Sequence, residues 1–216
     1  MQTLSERVMD SELRARVFSD RHLDALLAGS AQRRYNLVNR ALKAREILRL
    51  ARGVYILDPS LSGVRPHSFV VAQALRPGSF VSFESALAWH GCIPEAVRQV
   101  RCVAPGRRKK QFRVPAYGEF RFAPLSVTPG YLLAGVNREK LAGGVALIAK
   151  AIRALLDLAC YLKVEPDEID EFIGGLRLDP DWLARLTREN ILRYREVYRH
   201  RRLHRIIEHL ARGVAT

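Results

Sequence analysis

One stretch near the N-terminus, residues 30–57, reads SAQRRYNLVNRALKAREILRLARGVYIL. Ser30 is a favourable helix N-cap, and the apolar spacing after it predicts a helix that reaches about Arg45. Two short β-prone runs follow, residues 47–50 and 53–57, with Gly53 at the bend between them. This pattern predicts a β-hairpin directly after the helix.

On a helical wheel the predicted helix has two distinct faces. Val38, Ala41 and Leu42 share one arc, which predicts the buried side. The opposite arc carries cations and amides without any acid, whereas a merely solvated face usually includes glutamates. Arg, Asn and Gln are the side chains that read base edges in the major groove of DNA. The candidate DNA-binding residues of the helix are Gln32, Arg33, Arg34, Tyr35, Asn36, Asn39, Arg40 and Lys43.

The predicted hairpin extends this basic character. Arg49 and Arg52 flank its bend, where a wing would contact phosphates or the minor groove. From residue 30 to residue 53 there are seven cations and one acid, Glu46, which gives a net charge of +6. The alternative is a solvated helix on an unrelated core.

The residues before this stretch complete a recognisable order. One helix is predicted through Leu13, Val17 and Phe18 to near Asp20, and a second, capped by Asp20, stops at Gly29. Helix, helix, turn, helix and hairpin is the order of a winged helix-turn-helix. We therefore predict such a domain over residues 1–58.

The rest of the chain predicts an α+β fold with a second domain. Residues 59–66 (PSLSGVRP) have the composition of a linker, and residues 67–216 predict a mixed α/β C-terminal domain that ends in helices. Helices are predicted at 68–75, 83–89, 146–162 and 166–173, with a helical tail over 179–212. Strands are predicted at 97–103, 119–122 and, more weakly, 132–136.

The overall charge favours a polyanionic partner. The 216 residues include 36 Lys and Arg against 22 Asp and Glu, for a net charge of +14. Such an excess attracts nucleic acid because neutralised phosphates release counterions. A second basic cluster, at the predicted tip of a loop, consists of Arg107, Arg108, Lys109 and Lys110. It fits auxiliary contact with flanking DNA, binding of RNA or an acidic partner, or simple solvation.

Several features point to a cytoplasmic protein without catalytic chemistry. No apolar run approaches the roughly 20 residues of a membrane helix, and residues 1–10 lack the apolar core of a signal peptide. Cys92, Cys102 and Cys160 form no CxxC pair and predict reduced, buried thiols. We expect no cofactor and no metal.

Two small groups of residues have the types and spacing of a chemical site. Ser82, Ser85 and His90 invite a hydrolase interpretation, but no G-x-S-x-G elbow is present and Ser82 is better placed to cap a helix. His200 and His204 have a spacing that can chelate a metal, but four arginines around them would oppose a cation. We therefore expect neither an enzyme nor a zinc site.

Three segments resemble the AbiEi-type antitoxins. Residues 36–42 (NLVNRAL) with 49–55 (RLARGVY) are similar to that family's winged helix. Residues 80–91 (FVSFESALAWHG) resemble its S-x-E-S-A-L-x-x-H-G segment. Residues 149–158 (AKAIRALLDL) resemble its A-x-x-E-K-A-L-L-D-L helix, although the acid is absent and Arg153 stands in place of the lysine.

The resemblance implies a bacterial repressor of its own promoter. Its partners would be double-stranded DNA, with paired half-sites, and a nucleotidyltransferase-like toxin that need not form a stable complex with it. We expect a monomer or weak dimer. The alternative is a protein- or RNA-interaction module whose basic C-terminal domain does the main work without sequence-specific DNA reading.

Overall fold

The structure, a computed structural model, describes residues 2–94 and 98–214 and combines helices with strands, as the predicted α+β class requires. The chain divides into two compact units. Unit 1 consists of Met1–Pro77, Phe112–Gly118 and Glu139–Ala146; unit 2 consists of Gly78–Gln111, Glu119–Arg138 and Leu147–Thr216. Unit 1 thus continues past residue 58 through the segment predicted as a linker, in which residues 59–62 form a helical turn.

Unit 1 begins with three helices, three strands and two further helices. In chain order they are α1 (Leu4–Met9), β1 (Phe18–Ser19), α2 (Asp20–Leu26), α3 (Ala31–Lys43), β2 (Ile47–Ala51), β3 (Val54–Leu57), α4 (Pro59–Ser62) and α5 (Ser68–Leu75). The three strands form a sheet of order β1-β3-β2 in which both pairs are antiparallel. The helix and hairpin predicted for residues 30–57 are confirmed as α3, β2 and β3.

The prediction for the first helix was wrong. The helix lies earlier, where the Thr3 side chain and Glu6 form a capping box that satisfies two free backbone N–H groups. Leu13 and Phe18 are still buried, Leu13 in a series of turns and Phe18 in β1, opposite Tyr55. The apolar spacing of Leu13 and Phe18 correctly predicted that both are buried. It did not predict that the backbone between them changes from turns to a strand.

The hydrophobic core beneath α3 fixes which face of this helix points inward. Val38 and Ala41 are buried there, with Leu37 and Leu42 packed at the margin. Their partners come from every other element of the N-terminal part: Leu4, Val8, Leu13, Phe18, Leu23, Leu27, Ile47, Tyr55 and Leu57. The predicted buried arc of the wheel is therefore confirmed.

The other elements begin at residue 80. They are β4 (Phe80–Val81), α6 (Phe83–Trp89), β5 (Gln99–Val103), β6 (Lys110–Val114), β7 (Gly118–Ala123), β8 (Val136–Leu141), β9 (Gly144–Ala149), α7 (Ala151–Leu162), α8 (Ile169–Gly175), α9 (Pro180–Ala184), α10 (Arg188–Leu192), a 3₁₀ turn (Arg195–Val197) and α11 (Arg201–Gly213). A six-stranded sheet has the order β6-β7-β5-β4-β9-β8. It is mixed, since β4 pairs antiparallel with β5 but parallel with β9.

Three further expectations are corrected. Residues 132–135 form turns, closed by hydrogen bonds such as Ala134 N–H to the Tyr131 carbonyl, and not a strand. Residues 146–149 belong to β9, so the apolar helix begins only at Ala151. The tail is broken into α9, α10, a 3₁₀ turn and α11. Of the strand predicted at 97–103, Val97 lies outside the described residues.

A fully buried carboxylate joins the elements of unit 2. Asp157 of α7 accepts a hydrogen bond from Arg153 Nε at 2.8 Å, one from the Ser82 hydroxyl at 2.7 Å and one from the Tyr198 hydroxyl at 2.7 Å. The Arg153 guanidinium also donates to the Ala134 carbonyl at 2.5 Å. Burial opposes the charge on Arg153, but Asp157 and Tyr198 outweigh it and raise the pKa of the guanidinium. The ion pair therefore persists in a site from which water is excluded.

The first prediction concerns this ion pair. We expect Asp157→Asn to lower the free energy of unfolding by about 3–5 kcal/mol, because it leaves a buried guanidinium without its counter-charge. Ser82→Ala should cost only about 1–3 kcal/mol, the loss of one partner of a buried group. Urea unfolding followed by tryptophan fluorescence reports on this unit, since Trp89 and Trp182 both lie in it. Equal stability of Asp157→Asn and the parent chain would contradict the assignment.

The second prediction concerns the hairpin turn. Gly53 has φ +72°, and a Cβ there would lie 2.6 Å from Asp20 Oδ2, whereas Gly63, with φ +70°, has open space around it. We expect Gly63→Ala to cost roughly 1 kcal/mol through backbone strain alone. Gly53→Ala should cost somewhat more, because the Asp20 carboxylate, at the end of its side chain, must also turn away. Hydrogen exchange of residues 47–57 measures the difference, and equal exchange in the two variants would show that the close approach of Asp20 is unimportant.

Candidate nucleic-acid interface

The position of α3 follows from its first turn and its buried face. The Ser30 hydroxyl accepts a hydrogen bond from the Arg33 N–H at 3.3 Å, as expected for an N-cap. With Val38 and Ala41 in the core, the opposite side of the helix faces solvent. The polar arc of the wheel is consequently displayed and not buried.

Most of the candidate residues lie exposed along α3. Tyr35 is 62% exposed, and the Gln32 amide donates a hydrogen bond to the Asn36 side chain at 3.2 Å, so these two amides act as a pair. Asn39 is half-buried. No acid occurs within α3, so nothing on the helix itself neutralises its cations. The exposed members are Gln32, Arg33, Tyr35, Asn36, Arg40 and Lys43.

Arg34 differs from the other candidates. Its guanidinium forms an ion pair with Asp24 of α2 at 2.5 Å and donates to the Gly29 carbonyl at 2.6 Å. On the wheel Arg34 falls between Leu37 and Val38, on the inward side of the helix. The side chain therefore connects α3 to α2 and does not lie on the exposed face of α3 with the other candidates.

A groove of about 870 Å³ separates α3 from the hairpin. Gln32, Arg34, Tyr35 and Asn39 of α3 line it together with Arg49 and Arg52 of the hairpin. Arg33, Asn36, Arg40 and Lys43 are not among its lining residues. The structure thus brings four candidates of α3 together with both arginines of the hairpin, and leaves the other four on the outer part of the helix.

Two acids that the sequence interpretation did not include also line this groove, and both are exposed. Asp20 and Asp24 both belong to α2, and the Asp20 N–H donates to the Gly53 carbonyl at 3.1 Å. Burial, and then the Asp20 carboxylate, raises the pKa of Tyr55, while Arg49, whose guanidinium lies 5.9 Å from the Tyr55 ring centre, opposes that shift. Asp24 thus holds Arg34 of α3, and Asp20 contacts the hairpin at Gly53.

Three residues of the auxiliary basic cluster lie in a loop, as predicted, between β5 and β6, and Lys110 is the first residue of β6. Arg107, Arg108, Lys109 and Lys110 are exposed. Lys109 is not simply solvated, since its ammonium donates to the Tyr161 hydroxyl at 3.0 Å. Sequence reasoning missed this pairing because Tyr161 is 52 residues away along the chain.

The polar side chains of residues 82–90 are satisfied internally. Ser82 occupies the N-cap position of α6, yet its hydroxyl makes no capping bond and donates to Asp157 instead, so the predicted capping role was wrong. Ser85 donates to the Gln99 carbonyl and accepts from the Arg101 N–H. The His90 ring contacts the Ala149 carbonyl at 2.8 Å. Each group has a structural partner, and the three do not form a catalytic array.

The three thiols and His204 also lie in structural positions. Cys92, Cys102 and Cys160 are free and buried, as predicted, and burial raises the pKa of Cys92 and of Cys160 to about 11. His204 contacts the Tyr198 carbonyl at 2.7 Å. Within residues 2–94 and 98–214, no three His, Cys, Asp or Glu side chains are grouped to hold a metal ion, and no helix has the length and apolar character to cross a bilayer.

Comparison of the chain with protein families and with characterised proteins finds no match. We therefore base a proposal for its function on the exposed residues of α3, the hairpin beside it, and the resemblance seen in the sequence.

Proposed function

We propose that this protein is a sequence-specific DNA-binding repressor whose N-terminal part is a winged helix-turn-helix. In this proposal α2 and α3 are the helix-turn-helix, α3 enters the major groove, and the β2–β3 hairpin is the wing. The order of α1, β1, α2, α3, β2 and β3, with the sheet order β1-β3-β2, supports the assignment.

The observation that carries the proposal is the acid-free outer face of α3. Arg33, Asn36 and Arg40 are exposed on it, and Arg and Asn have the donor and acceptor geometry to distinguish guanine from adenine. A solvated helix would gain from glutamates at i,i+4 positions, and α3 has none. If the face served only solubility, the absence of acids would be a disadvantage. A face that approaches a polyanion, in contrast, requires that acids be absent.

The groove supports a division of labour between helix and hairpin. Arg49 and Arg52 line the same groove as Gln32 and Asn39, together with the acids Asp20 and Asp24. A DNA strand that contacts the two hairpin arginines would therefore lie close to the amides of α3. Contacts to phosphates fix the register of a protein on DNA, and contacts to bases specify sequence. We assign Arg49 and Arg52 to the first task and the exposed residues of α3 to the second.

The biological role rests on the resemblance to AbiEi-type antitoxins. We propose that the protein represses its own operon in the bacterial cytoplasm and counters a nucleotidyltransferase-like toxin without a stable complex. A reading helix of this size covers only a few base pairs, so binding to paired half-sites, by a weak dimer or by two monomers, would provide the specificity a promoter needs.

The third prediction tests the reading face. After selection of preferred duplexes from a random pool, we expect Arg40→Ala to lose about 1–3 kcal/mol of binding free energy on the preferred site and to relax its base preference. Fluorescence anisotropy on preferred and scrambled duplexes measures both effects. The matched control is Arg14→Ala, which removes an exposed arginine of the same unit outside α3 and the hairpin.

Two outcomes would contradict this proposal. Unchanged affinity and preference in Arg40→Ala would exclude α3 as the reading helix. Weak binding by the parent chain that is blind to sequence and falls steeply with salt would favour the alternative function, an interaction module that uses its basic surface on RNA or protein.

The fourth prediction separates the wing from the reading helix. We expect Arg52→Ala to weaken binding to preferred and scrambled duplexes by the same factor and to lower the slope of log affinity against log salt by about one. The same titrations at several salt concentrations measure the slope. A change in base preference in Arg52→Ala would assign this residue to base contact instead.

A further inference from the structure

Unit 2 contains a basic recess that the proposed DNA site does not use. It has a volume of about 340 Å³, and four cations line it: Arg101, Lys109, Lys110 and Arg121. Phe83, Phe122 and Ala123 form apolar parts of the lining, and all three are buried. No acid is among the lining residues that the structure describes. Cations over an apolar floor, in a recess of this size, are typical of a site for a small anionic ligand.

Arg101 is the deepest of the four cations. Its guanidinium lies 4.8 Å from the ring centre of Phe83 and 5.0 Å from that of Tyr161, and it pairs with Glu84. Phe83 has φ +55°, a left-handed conformation that bulky residues rarely adopt. The Arg101 side chain is only 14% exposed, which is too deep for the backbone of a straight duplex but open to a small ligand.

The lysines keep an uncompensated charge at the mouth of the recess. Lys109 lies 4.7 Å from the Tyr161 ring centre and donates to its hydroxyl. That hydrogen bond is the main cause of the lowered pKa of the Tyr161 phenol, and the charge of Arg101 lowers this pKa further. The local potential is therefore positive. Arg121 has Glu119 at 3.5 Å, but among the described ion pairs neither Lys109 nor Lys110 has an acidic partner.

We propose that this recess binds a phosphorylated small molecule of mononucleotide size, with its phosphate between Lys109 and Arg101. The recess offers hydrogen-bond donors from two ammonium groups, a guanidinium and a phenol. These donors match the three oxygens and the nearly double negative charge of a phosphate, and they are more than a single carboxylate can use. The organic part of the ligand would lie on Phe83, Phe122 and Ala123.

Isothermal titration of the full chain tests the proposal with ATP, inorganic pyrophosphate and adenosine. We expect ATP and pyrophosphate to bind and adenosine not to bind at the same concentration. ATP binding tighter than pyrophosphate would show that the apolar floor contributes, and equal affinities would show that the recess recognises the phosphates alone. Absence of binding by both ATP and pyrophosphate at millimolar concentration would overturn the proposal.

Matched variants distinguish a built site from general attraction of anions. We expect Lys109→Ala to weaken ATP binding about tenfold or more, the effect of losing one charge-assisted contact, and Tyr161→Phe to weaken it less. Lys140→Ala removes an equal charge from an exposed position in β8 and should have no effect. Equal losses in Lys109→Ala and Lys140→Ala would overturn the proposal. Arg40→Ala should keep ATP affinity, so failure here is distinguishable from failure of the DNA proposal.

Discussion

The carboxylate of Asp157 is the group on which unit 2 depends. It is completely buried, yet it accepts hydrogen bonds from α7 itself, from the residue that begins α6 and from the segment before α11. Through Arg153 it also reaches the turn at Ala134. An ionised group in such a place is tolerated only when it is fully paired, so every one of these segments must be in position together. The buried pair thus makes the assembly of the unit cooperative.

Unit 1 uses its acids in a comparable way. Asp24 holds Arg34, Asp20 lies against Gly53, and Glu46 accepts a hydrogen bond from Ser5 at 2.7 Å. Each of these carboxylates is engaged within the unit and not on the outer face of α3. The same arrangement stabilises the fold, while α3 itself contains no acid. The positive charge of α3 therefore depends on where the acids of the unit lie, and not only on the number of cations in the chain.

The helical wheel predicted α3 and its faces because a helix that packs on one side needs apolar residues that repeat every three to four positions in the sequence. The hairpin was predicted because a glycine bend between β-prone runs is a local signal. Strands β6 and β8 were missed, since they consist largely of polar residues and lack clear alternation. The roles of Arg34 and Asp24 were missed because an ion pair between neighbouring helices leaves no periodic trace in either.

The resemblance to antitoxins has to be weighed by what its residues do. Ser82, Ser85, His90 and Asp157, which belong to the two similar segments after residue 79, all bond to groups inside unit 2. Arg153, where the family pattern has lysine, keeps the cation that Asp157 requires. Agreement at these positions therefore reflects how unit 2 is packed and says little about a toxin. Function is to be tested instead on exposed residues such as Asn36 and Arg40 of α3.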